Sequence, residues 1–105
     1  MNLEITSKNF DSLLSEKEVV VVDFWAPWCG PCRVLGPIVE SVDNANNDAS
    51  VAIVKINIDD DPDMARQFGI RSIPTMVYFK AGTEARKTVG IKSKIEIESI
   101  INELK

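Results

Sequence analysis

Two stretches of the chain are apolar at almost every position and rich in β-branched residues: Val19 to Ala26 (VVVVDFWA) and Val51 to Ile58 (VAIVKINI). A continuous apolar run of this length reads as a strand buried on both faces, and such strands are typically parallel. Between them, Val34, Leu35, Ile38, Val39 and Val42 recur at helical spacing. This predicts one long amphipathic helix from about Cys29 to Asn46, with Pro37 inside it removing a backbone donor and kinking it. Leu3 to Ile5 reads as a short edge strand. Ser7 is the expected N-cap of a helix presenting Phe10, Leu13 and Leu14.

The second half continues with DPDMARQFG, in which Asp61 is the expected N-cap, Pro62 the first helical residue and Gly69 the residue past the end. Thr75 to Phe79 and Glu84 to Gly90 flank the turn KAGT and predict an antiparallel hairpin. Ser93 and Glu96 have capping-box spacing, and Ile97, Ile100, Ile101 and Leu104 form the core stripe of a last helix. The order is β-α-β-α-β-α-β-β-α. It predicts an α/β fold with a mixed sheet, a parallel centre and an antiparallel C-terminal hairpin, flanked by four helices on its two faces. Sites in such sheets lie at the carboxyl ends of the strands.

Length and charge narrow the function. A chain of 105 residues fits one domain. Its net charge of −4 disfavours nucleic acid or an anionic membrane surface as a partner. The longest like-charge run, Asp59 to Asp61, reads as a solvated turn. The first ten residues lack the pattern of a signal peptide, and no apolar run approaches the ~20 residues that span a bilayer. A cytoplasmic protein is the expectation, with an export signal trimmed beforehand as the alternative. With no histidine and two cysteines, the chain lacks the ligand set of a zinc site, so no metal is expected unless two copies share one.

The two cysteines, Cys29 and Cys32, stand three apart directly after the first apolar strand. A crosslink closing so small a loop removes little chain entropy, so chemistry explains the spacing better than stability. Residues three apart on a helix lie on one face, within reach of disulfide geometry after modest adjustment. Cys29 falls at the N-cap or first turn, where free N–H groups and the helix dipole favour an anion. A thiol of pKa ~8.5 is only about 3% thiolate at pH 7, and a value close to ambient pH makes about half of it reactive. Cys32, one turn deeper, is expected to be buried and protonated, with Cys29 reachable at the helix tip. Pro31 suits a first helical turn, and Gly30 and Pro31 add no charge. A histidine between the cysteines would make the pair more oxidising, so its absence argues for a reductant. The competing reading is two cysteines packed as small hydrophobes.

Asp23 interrupts the first apolar strand, and a buried carboxylate is costly, so desolvation is expected to raise its pKa. Near Cys32 it could take that thiol's proton, directly or through water. Lys55 interrupts the second strand in the same way and is its candidate partner. Otherwise both are solvated charges at strand ends. Ile73-Pro74 precedes a strand, where an ordinary trans turn is the local expectation.

At DFWAPWCGPC the chain resembles the thioredoxin family. The resemblance extends through Pro37, VKINID, FGIRSIPTMVYFKAG and Val89-Gly90, nearly the whole length. It implies a protein-disulfide reductase with Cys29 as nucleophile, Cys32 as resolving cysteine, Asp23 as proton carrier and Lys55 beside it. It implies a cis Pro74 against the cysteines and a substrate surface of Trp28, Gly30, Pro31, Ile73, Pro74, Gly90 and Ile91, with Trp25 packed behind. It implies no bound cofactor, the redox group being a Cys29–Cys32 disulfide. Implied partners are disulfide-containing proteins and a thioredoxin reductase, a flavoprotein drawing on NADPH; a monomer is expected. Arg33 and Ser72 depart slightly from the family's usual residues. The rival readings are an oxidase or isomerase on the same fold, and a non-catalytic binding module.

Overall fold

A computed structural model describes residues 3–5 and 7–105. The elements follow the expected order: β1 (Leu3–Glu4), α1 (Ser7–Glu16), β2 (Val19–Trp25), α2 (Gly30–Ala45), β3 (Val51–Asn57), α3 (Pro62–Gln67), β4 (Thr75–Lys80), β5 (Thr83–Val89) and α4 (Lys94–Leu104). The strands form one mixed sheet in the order β1-β3-β2-β4-β5. β2 lies in the middle, parallel to β3 and antiparallel to β4. The antiparallel part is therefore larger than the terminal hairpin. The reason is where β4 begins: Thr75 stands opposite Phe24, near the carboxyl end of β2. That reversal brings the segment before β4 to the end of the sheet where the cysteines sit.

The alternation of side chains along a strand explains why β2 has no polar face. Val19 and Val21 join Leu35 and Val39 of α2 and Ile97 and Ile101 of α4 in one core. Val20, Val22 and Phe24 join Phe10 of α1 and Met64 of α3 in a second core on the other face. By the same parity Asp23 and Trp25 belong to the α2 side.

Two local expectations change. Ser7 is the first helical residue of α1 rather than the residue before it. Val34 is 53% exposed, because it lies at the edge of the α2 stripe; Leu35, Val39 and Val42 are the members that are buried. α2 runs through Pro37 without a break.

The β4–β5 connection is a two-residue turn between the paired Lys80 and Thr83. Both central residues have positive φ, +50° at Ala81 and +82° at Gly82, as a type I′ turn requires. Glycine adopts this freely, whereas alanine pays about 1–2 kcal/mol for left-handed backbone. Ala81→Asn is therefore expected to stabilise the protein by about 0.5–1 kcal/mol, read as a higher urea midpoint with unchanged slope.

The capping box of α4 is complete. Glu96 N–H donates to Ser93 Oγ at 3.1 Å, and Ser93 N–H donates to Glu96 Oε1 at 3.2 Å. The Ser93 N–H first, and the Ser93 hydroxyl after it, hold the Glu96 carboxyl below the usual carboxylate range. A lowered folded-state pKa means a contribution that is full above the unfolded value, 4.5, and lost as pH falls through the folded one. Glu96→Gln keeps an acceptor in the box but removes the charge. It is expected to lower the urea midpoint at pH 7, and the difference from the parent protein is expected to shrink as pH falls below 4.5.

Candidate active site at the carboxyl end of β2

β2 ends at Trp25, and the chain turns through Ala26 to Trp28 before α2 begins. Cys29 N–H closes that turn by donating to Ala26 O at 3.2 Å. Cys29 is the N-cap of α2, with extended backbone, and Gly30 and Pro31 form the first helical positions. Its Sγ accepts the backbone N–H of Cys32 at 3.2 Å, the bond that a capping oxygen would normally accept. Cys29 and Cys32 are joined in a disulfide with Cα atoms 5.3 Å apart.

Exposure departs from expectation. Cys32 is buried at 4%, but Cys29 is only 5% exposed. With the disulfide closed, the two cysteines and Ala26 form a small apolar cluster backed by Trp25, Ile58 and Ile73. The difference between them is one of surroundings rather than of area.

Cys29 faces the segment before β4. The carbonyl oxygen of Ile73 lies 3.7 Å from its Sγ. The Ile73-Pro74 peptide is cis, contrary to the local expectation and as the resemblance implies. Gly90 N–H donates to Pro74 O at 2.9 Å, which ties the β5–α4 loop to this segment. Gly90 has φ +92°, a conformation that a side chain would strain. Cys29, Ile73, Pro74 and Gly90 are thereby brought together. Gly30, Pro31, Trp28 and Ile91 are exposed around them, Trp28 at 66%, whereas Pro74 itself is buried.

Cys32 faces inward. It lines a cavity of about 230 Å³ together with Asp23, Trp25, Lys55 and Glu40. Asp23 is buried at 2%. It stands in register on β3 with Lys55, which is half-buried. The Lys55 ammonium lies 4.5 Å from the centroid of the Trp25 ring, a cation–π contact that was not foreseen. Two further contacts were also missed. Glu40 lines the cavity from α2, four residues after Gly36. The Trp28 indole is held by Asp59, which lies 31 residues away.

Among the described residues, no group of three or more His, Cys, Asp or Glu is placed to hold a metal ion. None of their helices is long and apolar enough to cross a membrane.

A strand-end disulfide capping a helix beside a cis proline has known counterparts. The family model described as Thioredoxin matches residues 1–103. The chain is 44% identical over 101 residues to a thioredoxin of Chlorobaculum thiosulfatiphilum, covering 95% of this chain and 93% of that one. It is 41% identical over 100 residues to a thioredoxin of Porphyra purpurea, covering 94% and 92%. Among solved structures, a thioredoxin variant from Halobacterium salinarum superposes with a TM-score of 0.90 at 31% identity, over 98% of this chain and 89% of that one. The thioredoxin of Malassezia sympodialis gives 0.88 at 31% identity, over 99% and 90%. Sequence, fold and the paired cysteines agree: this chain belongs to the thioredoxin family of thiol–disulfide oxidoreductases.

Proposed function

We propose that Cys29 is the attacking cysteine of a protein-disulfide reductase, Cys32 the resolving one, and Asp23 the group that takes the Cys32 proton. The carrying observation is the cap of α2. Reduced, Cys29 keeps the Cys32 N–H and the positive end of α2 beside its sulfur, and both favour the thiolate. That thiolate attacks one sulfur of a substrate disulfide. A bond forms between Cys29 and that sulfur, and the second substrate sulfur leaves as a thiolate that takes a proton. Cys32 then gives its proton to Asp23 across the shared cavity and attacks Cys29 Sγ. The Cys29–Cys32 bond forms, the mixed disulfide breaks, and the substrate leaves reduced by two electrons.

Lys55 supports this arrangement as the cation in register with Asp23. Trp28, Gly30, Pro31, Ile73, Gly90 and Ile91 form the surface that receives the substrate chain, with Pro74 supporting it from behind. A separate reductase, a flavoprotein using NADPH, returns the disulfide to the dithiol. We assign the protein to the cytoplasm as a monomer of one domain.

An oxidase or isomerase would use the same cysteines at a different potential. Equilibration against glutathione redox buffers, read by alkylation of the free thiols, separates these functions. The expected pair is more reducing than glutathione; a potential well above it would sink the reductase reading.

A further inference from the structure

Trp28 is the most exposed aromatic side chain beside the cysteines, at 66%, yet its indole is anchored. Its Nε1–H points at both oxygens of Asp59, 3.1 Å from Oδ2 and 3.2 Å from Oδ1. The loop carrying Asp59 is itself fixed. Asp59 N–H donates to Asn57 Oδ1 at 2.9 Å, and Ile58 N–H donates to Trp25 O at 2.9 Å, at the end of β2. Nearby carboxylates have other tasks: Asp61 Oδ1 accepts from Met64 N–H to cap α3, and Asp63 pairs with Arg66. Asp59 is different. Its partner is a neutral indole, and among the described residues no cation lies within ion-pair distance of it. The side chain is exposed, so a full negative charge remains in solvent against the indole next to Cys29.

We infer that Asp59 is a specificity-determining residue, favouring substrates that carry a lysine or arginine beside the attacked disulfide, on the side laid over Trp28. This rests on the reading of Cys29 as the attacking group. The indole gives an apolar plate for the substrate chain, and the carboxylate at its edge gives a fixed charge for a cation to meet. Such a cation could also lie over the indole face itself. One exposed charge pair corresponds to about 1.4- to 5-fold in rate, and it is screened by salt.

The test uses the full chain and three short peptides, each closed by one internal disulfide and differing only in the flanking residue: lysine, serine or glutamate. kcat/KM is measured at low salt and in 0.5 M NaCl. The expected lysine-to-glutamate ratio is about two- to fivefold at low salt and close to one at high salt. Asp59→Asn keeps an acceptor for the indole and loses the charge, and it is expected to bring the ratio close to one. Asp60→Asn makes the same change in net charge at the exposed neighbour and is expected to keep most of the preference. No preference in the parent protein, a preference that survives Asp59→Asn, or equal loss in Asp60→Asn overturns the inference. If the serine peptide is not reduced either, the reading of Cys29 itself has failed, and the inference falls with it.

Discussion

Cys29→Ser is expected to bring insulin-disulfide reduction down to the uncatalysed rate, while Cys32→Ser reacts once and stops. The two outcomes differ because the cysteines have different surroundings rather than different exposure. A serine hydroxyl at the N-cap would accept the same N–H, so the fold is kept, but it is not ionised near neutral pH and forms no disulfide. In Cys32→Ser the bond to Cys29 Sγ survives, because its donor is the backbone N–H of residue 32 and not the side chain. The attacking thiolate therefore stays supported, and a mixed disulfide with the substrate accumulates for want of a resolving sulfur. Mass spectrometry of the intact protein after mixing with oxidised substrate reads this directly, as one added substrate mass per chain. Continued turnover by Cys29→Ser would remove this pair from the reaction. A trapped adduct in Cys29→Ser and none in Cys32→Ser would reverse the two roles.

The parts of this arrangement that were legible in the sequence are those fixed by local chemistry. The N-caps at Asp61 and Ser93, the turn at Ala81-Gly82 and the four helices each follow from a few neighbouring residues. In VVVVDFWA the alternation is invisible because every position but one is apolar. Once helices cover both sheet faces, parity alone assigns Asp23 to the side of α2 and Cys32. What stayed hidden depends on pairing between distant segments. The antiparallel β2–β4 contact follows from where the chain re-enters the sheet, which no local pattern encodes. The cis bond at Ile73-Pro74 has no local signal and came only from the resemblance. The Asp59–Trp28 bond and the Lys55–Trp25 contact join different strand ends. The only hint of the first was an acidic run following the second apolar strand, and it read as a solvated turn. The near-equal burial of the two cysteines follows from the closed disulfide and the cover of Ile73, neither of which spacing reveals.

Asp23→Asn is expected to slow the breakdown of the mixed disulfide by about a hundredfold at pH 7 and to leave its formation unchanged, since general-base assistance is typically worth at least about that much. Formation needs only the Cys29 thiolate, which is supported by the α2 cap and not by Asp23. Breakdown needs Cys32 as thiolate, and Cys32 is buried in a cavity where Asp23 is the buried carboxylate. An amide occupies the same space and accepts a hydrogen bond, but it cannot take the proton. The deficit is then expected to narrow as pH rises, because hydroxide in solution increasingly replaces the missing base. Rapid mixing with a chromogenic disulfide separates the two steps at each pH. Loss of fold is excluded by the urea midpoint, expected to be unchanged or higher, since the amide is cheaper to bury than the carboxylate. A variant that resolves at the parent rate at pH 7 would place the proton acceptor elsewhere. Of the groups lining the same cavity, Glu40 is then the remaining carboxylate within it, and Glu40→Gln the next variant to measure.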